Sequence, residues 1–308
     1  MKRIVILGAS GMLGSMLLEY FSQESGYEIV ATVRDRIYLE CAEKVLPQVQ
    51  WAIASVDHIN YTSNFDLVPE CDWLINAIGI TKPLIKDDNS DQIQRAIFIN
   101  SVLPHVIGEI AQVKGARVLQ IATDCVYSGL RGAYVETDPH DALDVYGKTK
   151  SLGECYLPNV NHLRCSIIGP EARDHKFLMD WFLGQPQGVS VNGFSNHLWN
   201  GVTTLHFAKI CNGIIREKIE LFHLAHIVPA DMVTKAKMLQ VFGKCFGRPD
   251  IRVEVTEAPM RMDRTLQTTN PAINGAIWEA AGYKTPPTIE EMIRELSVFK
   301  RHLPSKMP

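Results

Sequence analysis

The 308-residue sequence lacks any Cys-x-x-Cys pair or short His/Cys cluster: its seven cysteines stand apart at 41, 71, 125, 155, 165, 211 and 245. That spacing argues against a zinc site or a disulfide framework and leads to the expectation of a reduced, cytoplasmic protein without a metal. No run of about 18 apolar residues occurs, so no membrane span is expected. The start, MKRIVILGASG, imitates a secretory leader, yet only residues 4–7 are continuously apolar before Gly8, too short for a signal core. Neither sign of charge is in excess. Lys and Arg number 31 against 34 Asp and Glu, a net charge of −3, which leaves no sequence-wide basic field for nucleic acid or anionic lipid. Gly (21) and Pro (16) are too few, and hydrophobic residues at 46% too many, for disorder or a collagen-like chain. A folded protein with a small-molecule role is what these absences leave, built as one large domain or two closely joined ones at roughly 100–200 residues per domain.

What is present is an alternation. Short apolar runs at 3–7, 28–33, 51–54, 73–77, 117–122 and 161–167 are separated by helix-like stretches at 12–21, 38–45, 92–113 and 145–156. The runs are nearly continuous in apolar residues rather than alternating, as expected when helices cover both faces of a parallel sheet. This pattern predicts an α/β fold, a doubly wound parallel sheet of Rossmann type. Beyond residue 168 the rhythm becomes irregular, with helices expected at 204–216, 233–242 and 289–296. We therefore expect a dinucleotide-binding domain over 1–168, rejoined by part of 203–230, and a smaller substrate-binding lobe over most of 169–308.

Gly8-Ala9-Ser10-Gly11-Met12-Leu13-Gly14 follows the first strand and opens the first helix. Glycines there permit a tight turn and close backbone approach, so that helix N-terminal amides can hold a pyrophosphate. Gly8, Ser10, Gly11, Met12, Leu13 and Gly14 are accordingly candidate cofactor contacts. The second strand leads into Arg34-Asp35-Arg36, where an acid would favour NAD and an arginine NADP. Arg34 comes first, and its guanidinium suits a 2′-phosphate. NADPH is the expected cofactor, with NADH the lesser candidate because of Asp35.

Tyr146-Gly147-Lys148-Thr149-Lys150 lies in a helical stretch, which puts Tyr146 and Lys150 on one face. An ammonium beside a phenol is expected to lower its pKa. With these residues in order, the chain resembles the extended short-chain dehydrogenase/reductase family over nearly its whole length. The resemblance rests on the glycine turn, Asn76-Ala77, Thr123, and Tyr146 with Lys150; Asp57 and Asn100 match the family's adenine-contacting acid and its helix-four asparagine. It implies a nicotinamide cofactor across the carboxyl ends of the strands, touching Asp57, Asn76, Ala77 and Asn100. Tyr146 would then transfer the proton, Lys150 hold the ribose, and Thr123 bond the reacting oxygen.

Thr123-Asp124-Cys125 separates subclasses. Dehydratases of this family carry Thr-Asp-Glu, and a thiol substitutes poorly for that acid. The segment instead resembles the Thr-Asp-Tyr-Val-Phe of dTDP-4-dehydrorhamnose reductases, as Leu163-Arg164-Cys165-Ser166 resembles their Leu-Arg-Thr-Ser. The resemblance implies reduction of the C4 keto group of a nucleotide-linked 4-keto-6-deoxysugar for deoxysugar or surface-polysaccharide synthesis. Asp124, Trp199, Asn200 and Arg261 are the further candidates for substrate contact. Alternatives are an NAD-dependent 4-epimerase and a non-catalytic NADP-binding regulatory subunit. Relatives pair the helices expected at 92–113 and 145–156 across a dimer interface, which makes a homodimer an expectation.

Overall fold

The computed structural model describes residues 1–54, 56, 68–173 and 175–304. Alternation within the first strand shows how the layers arise. In β1 (Lys2–Leu7), Ile4 and Ile6 enter one apolar core and Val5 and Leu7 the other, so both faces of the sheet are covered. The remaining strands of the large sheet are β2 (Tyr27–Val33), β3 (Gln50–Ile53), β4 (Trp73–Asn76), β5 (Arg117–Ala122) and β6 (Val160–Arg164). All pair in parallel, in the order β3-β2-β1-β4-β5-β6, with a seventh strand beyond β6. The order reverses between β1 and β4. At such a switch point the loops leaving the two strands diverge, and a crevice opens at their carboxyl ends.

Helices α1 (Met12–Phe21) and α2 (Arg36–Val45) follow β1 and β2. A 24-residue helical stretch then runs as α3 (Ser90–Ala96), a π-helical segment Ile97–Val102 and α4 (Leu103–Val113). By length and apolarity this stretch could cross a membrane, with a mean hydropathy of 1.4, but 61% of its apolar window is buried in the protein. It is a core helix, packed with Val5, Leu7 and Leu74 of the sheet.

Helix α5 (Val145–Leu152) ends four residues before the sequence predicts. The reason is Glu154, which turns inward to pair with the fully buried Arg164 at 2.6 and 2.7 Å. Arg164 also bonds Tyr127, His140 and His226, which ties the exit of α5 to the end of β6. The strand expected at 161–167 correspondingly stops at Arg164, and β7 (Ile167–Ile168) pairs elsewhere, with β10 (Val202–Thr203).

Between these two lie α6 (Leu178–Leu183), β8 (Ser190–Phe194) and β9 (His197–Trp199). Helix α7 (Thr204–Glu217) packs on α1, and β11 (Leu224–His226) joins β6 as the seventh strand. Then come β12 (Val233–Thr234), α8 (Lys235–Cys245), β13 (Arg252–Thr256), β14 (Met262–Asp263), α9 (Pro271–Ala280) and α10 (Ile289–Val298). The helix expected from 233 starts at Lys235, because Val233 and Thr234 pair with β9 and Thr234 caps the helix. The chain returns to its beginning at the far end. Glu19, buried within α1, accepts the backbone N–H groups of His302 (2.8 Å) and Leu303 (2.7 Å).

Candidate active site

The loop after β1 is shaped by its glycines. Gly8 has φ +78°, and a Cβ on Gly14 would stand 2.1 Å from the Gly8 carbonyl oxygen, so the turn folds directly onto the first helical turn. Thr32 on β2 braces it, its Oγ1 accepting from Gly8 N at 3.2 Å and its carbonyl from Ala9 N at 2.9 Å. Helices α2, α5, α7, α8, α9 and α10 all begin with a side-chain cap, from Asp35, Asp144, Thr203, Thr234, Asn270 and Thr288. Helix α1 does not: its N-cap is the exposed Gly11. First-turn amides have no intrahelical acceptor. Those of Met12 and Leu13 therefore open, beside half-buried Ser10, toward a position that suits an anion, and the residues present fit a dinucleotide pyrophosphate.

At the end of β2 the acid and the arginine differ in availability. Asp35 caps α2 through Ile37 N at 2.8 Å and pairs with Arg173 at 2.6 Å, bonds that hold its carboxyl below the usual range. Arg34 is exposed. Asp57 lies outside the described residues.

Asn76 and Asn100 serve the loop that follows β4. Asn76 Nδ2 donates to Gln120 Oε1 at 2.7 Å, and its Oδ1 accepts from Ile78 N at 3.0 Å. Asn100, on the π-helical segment, holds both backbone groups of Ile80 at 2.9 Å and also reaches Thr149 Oγ1 at 3.3 Å. Sequence reasoning has both amides touching a cofactor; the structure has them engaged by protein, fixing the loop that starts at half-buried Ala77. Lys82 fastens its far end to Asp144, the cap of α5, at 2.8 Å.

Thr123 follows β5 and starts a short 3-10 turn, its hydroxyl accepting from Cys125 N and donating to Asp124 Oδ1, both at 3.2 Å. Tyr146 stands in the first turn of α5, the helix that packs on the 3-10 turn begun by Thr123. Lys150 is buried one turn on and donates to Ile121 O at 3.0 Å. The three residues thus converge at the carboxyl end of β5. One expectation is reversed: the Tyr146 pKa is raised, first by burial and then by nearby Cys125, Asp124 and Asp144, with Thr123 opposing this. Burial pushes Lys150 itself down to about 8, against the pull of Glu154. A phenol so placed keeps its proton at neutral pH.

The substrate side differs more from expectation. Asn200 cannot offer its amide freely, because Nδ2 donates to Leu266 O at 2.7 Å and Oδ1 accepts from Leu266 N at 2.9 Å. Arg261 is exposed and paired with Asp263 at 3.1 Å. Trp199 is buried, with the Lys235 ammonium 5.9 Å from its ring centroid. Asp124 is buried beside Thr123; burial pushes its carboxyl up, while Arg264 and then Lys235 pull it down. Burial also pushes the Cys125 thiol up to about 12, so it is neutral. Lys235 and Arg264 are the residues that sequence reasoning missed. Arg264 lies three residues beyond the candidate Arg261, but no sequence signal marks Lys235. Among the described residues no group of three His, Cys, Asp or Glu side chains could hold a metal ion.

Comparison with known proteins matches residues 1–174, which carry the glycine loop, Thr123, Tyr146 and Lys150, to the family described as RmlD substrate binding domain. The spore coat polysaccharide biosynthesis protein SpsK of Bacillus subtilis is 27% identical over 156 residues, 50% of this chain and 47% of that protein. The dTDP-4-dehydrorhamnose reductase of Aggregatibacter actinomycetemcomitans is 28% identical over 158 residues, 51% of this chain and 47% of that one. The chain thus spans about half the length of the curated relatives it matches. A crystal structure of dTDP-4-dehydrorhamnose reductase from Bacillus anthracis in complex with NADP superposes with a TM-score of 0.72, at 16% identity, over 96% of this chain and 98% of that one, which shows the shared fold.

Proposed function

The chain belongs to the RmlD substrate binding domain family, and on that premise we propose that it is an NADPH-dependent reductase of the C4 keto group of a nucleotide-linked 4-keto-6-deoxysugar. The observation that carries this reading is the convergence of Thr123, Tyr146 and Lys150 at the carboxyl end of β5, beside the uncapped start of α1. The names of the relatives support it: one is a dTDP-4-dehydrorhamnose reductase, one a polysaccharide biosynthesis protein, and the B. anthracis structure holds NADP.

In this reading the Gly8–Gly14 loop holds the pyrophosphate and Arg34 the 2′-phosphate. When bound, the nicotinamide supplies hydride to C4 of the sugar. Thr123 positions the carbonyl oxygen by a hydrogen bond, and Tyr146 gives that oxygen its phenolic proton as the alcohol forms. Lys150 holds the ribose and, while charged, stabilises the phenolate left on Tyr146 until a solvent proton restores it. Rate is gained by orientation and acid catalysis together. The cleft lies between residues 1–168 with part of 203–230 and a lobe formed mainly from 169–308. Cytoplasmic location and a homodimer through Ser90–Val113 and Val145–Leu152, which leave Ile97 and Leu152 exposed, belong to the same reading.

The test is NADPH oxidation against a panel of dTDP- and UDP-linked 4-keto sugars. Tyr146→Phe should lower turnover by about 10² to 10⁴ while NADPH affinity stays within about twofold. An unaffected rate would remove Tyr146 as the acid. Should the purified protein carry NAD and act without added reductant, the 4-epimerase reading would replace this one; the engagement of Asp35 by Arg173 and the α2 amide favours the reductase.

A further inference from the structure

Asp35 stands between Arg34 and Arg36 in the turn that leaves β2. Both of its carboxylate oxygens are engaged. Oδ1 accepts from Ile37 N at 2.8 Å, and Oδ2 accepts from Nη2 of Arg173 at 2.6 Å. Arg173 comes from 138 residues further along the chain, in the stretch between β7 and α6. Its guanidinium also lies 5.4 Å from the ring centroid of Tyr38, a fully buried side chain of α2. The stretch that presents it is anchored on both sides. Ala172 belongs to the apolar core, and buried Glu171 accepts from Phe177 N at 2.6 Å. Asp180 of α6 accepts from Glu171 N at 3.0 Å and holds His175 at 2.6 Å. An arginine seated on a buried ring and carried by a fixed loop meets Asp35 as part of the fold, unlike a loose surface partner.

We propose that Arg173 is a positioning residue that sets the cofactor choice: by occupying Asp35 it withholds the carboxylate that would select NADH and leaves Arg34 to take the 2′-phosphate of NADPH. This rests on the dinucleotide site of the reductase reading. An acid after the second strand selects the unphosphorylated ribose in two ways: it accepts a hydrogen bond from the 2′-hydroxyl, and its charge repels a 2′-phosphate. The pairing with Arg173 cancels both. One oxygen of Asp35 is already engaged by the helix cap, so Arg173 decides what the other can do. Among Arg34, Asp35, Arg36 and Arg173 three charges are positive and one is negative, the balance that a 2′-phosphate needs. The residue that sets the choice therefore lies outside the strand and turn in which the acid and the other two arginines are found.

Equilibrium titration of the full chain with NADPH and NADH, and with 2′,5′-ADP and AMP as probes of the adenosine end, tests this without any turnover. Arg173→Ala should lower the ratio of NADPH to NADH affinity about tenfold, and the ratio of 2′,5′-ADP to AMP affinity with it. Arg173→Lys should restore part of the preference. Asp35→Asn keeps a cap for α2 and removes the charge, so in that background Arg173→Ala should change either ratio by less than about twofold. Equal weakening of both cofactors by Arg173→Ala would reduce the pair to a structural strap and overturn the assignment, as would an unchanged ratio. An effect of undiminished size in the Asp35→Asn background would make Arg173 a direct phosphate ligand and overturn it too. Absence of turnover on the 4-keto panel would end the reductase reading and leave the titration result standing, whereas binding of neither cofactor would end both.

Discussion

At the scale of single residues, the site depends on one buried lysine being charged. Burial brings Lys150 down to about 8, and Glu154 opposes that shift by favouring the ammonium. Below about pH 8 the side chain is protonated and can stabilise the phenolate of Tyr146; above it the charge is lost. Turnover with NADPH should therefore fall as pH rises through about 8. Glu154→Gln, which removes the opposing carboxylate, should move that limb to lower pH. A pH profile of kcat without a limb between about 7 and 9, or a limb that stays put in the variant, would contradict this role. The i, i+4 spacing of Tyr146 and Lys150 was readable from sequence because both sit on one helix. Their electrostatics were not, because burial depends on what packs around α5. Lys235 shows the same limit: its relation to Asp124 exists only once β12 has paired with β9 and delivered the start of α8.

At the scale of elements, the β1–α1 unit explains why the glycine turn is demanding at one position in particular. A methyl group on Gly14 would collide with the Gly8 carbonyl, a backbone atom that cannot swing aside. Gly14→Ala should push α1 away from the turn and weaken NADPH by tenfold or more, and equilibrium titration with NADPH checks this; unchanged affinity would contradict it. This unit was legible in outline, since strand, glycines and helix follow one another in sequence. The short strands of the second half were not: β7, β10, β12 and β14 have two residues each, too few for any periodicity to register. The early end of α5 was equally hidden, because it is set by the pairing of Glu154 with Arg164, a residue on another strand.

At the scale of the whole molecule, residues far apart in sequence complete one another's polar groups. Buried Arg164 gathers partners from Tyr127, His140, Glu154 and His226, so the end of β6 draws on both halves of the chain. Glu19 extends the same logic to the far end, since its buried carboxylate takes hydrogen bonds from His302 and Leu303. Ending the chain at Lys300 should leave that charge without those donors and lower stability by about 3 to 5 kcal/mol, measurable as a lower urea midpoint. An unchanged midpoint would show that water replaces the donors. The timing of synthesis follows from the same contact. Helix α1 leaves the ribosome ahead of the amides that satisfy its carboxylate, which follow 283 and 284 residues later in the chain. A nascent chain therefore carries the nucleotide-binding turn on a helix that cannot finish docking until translation has passed residue 303, which makes the protein a late folder by construction.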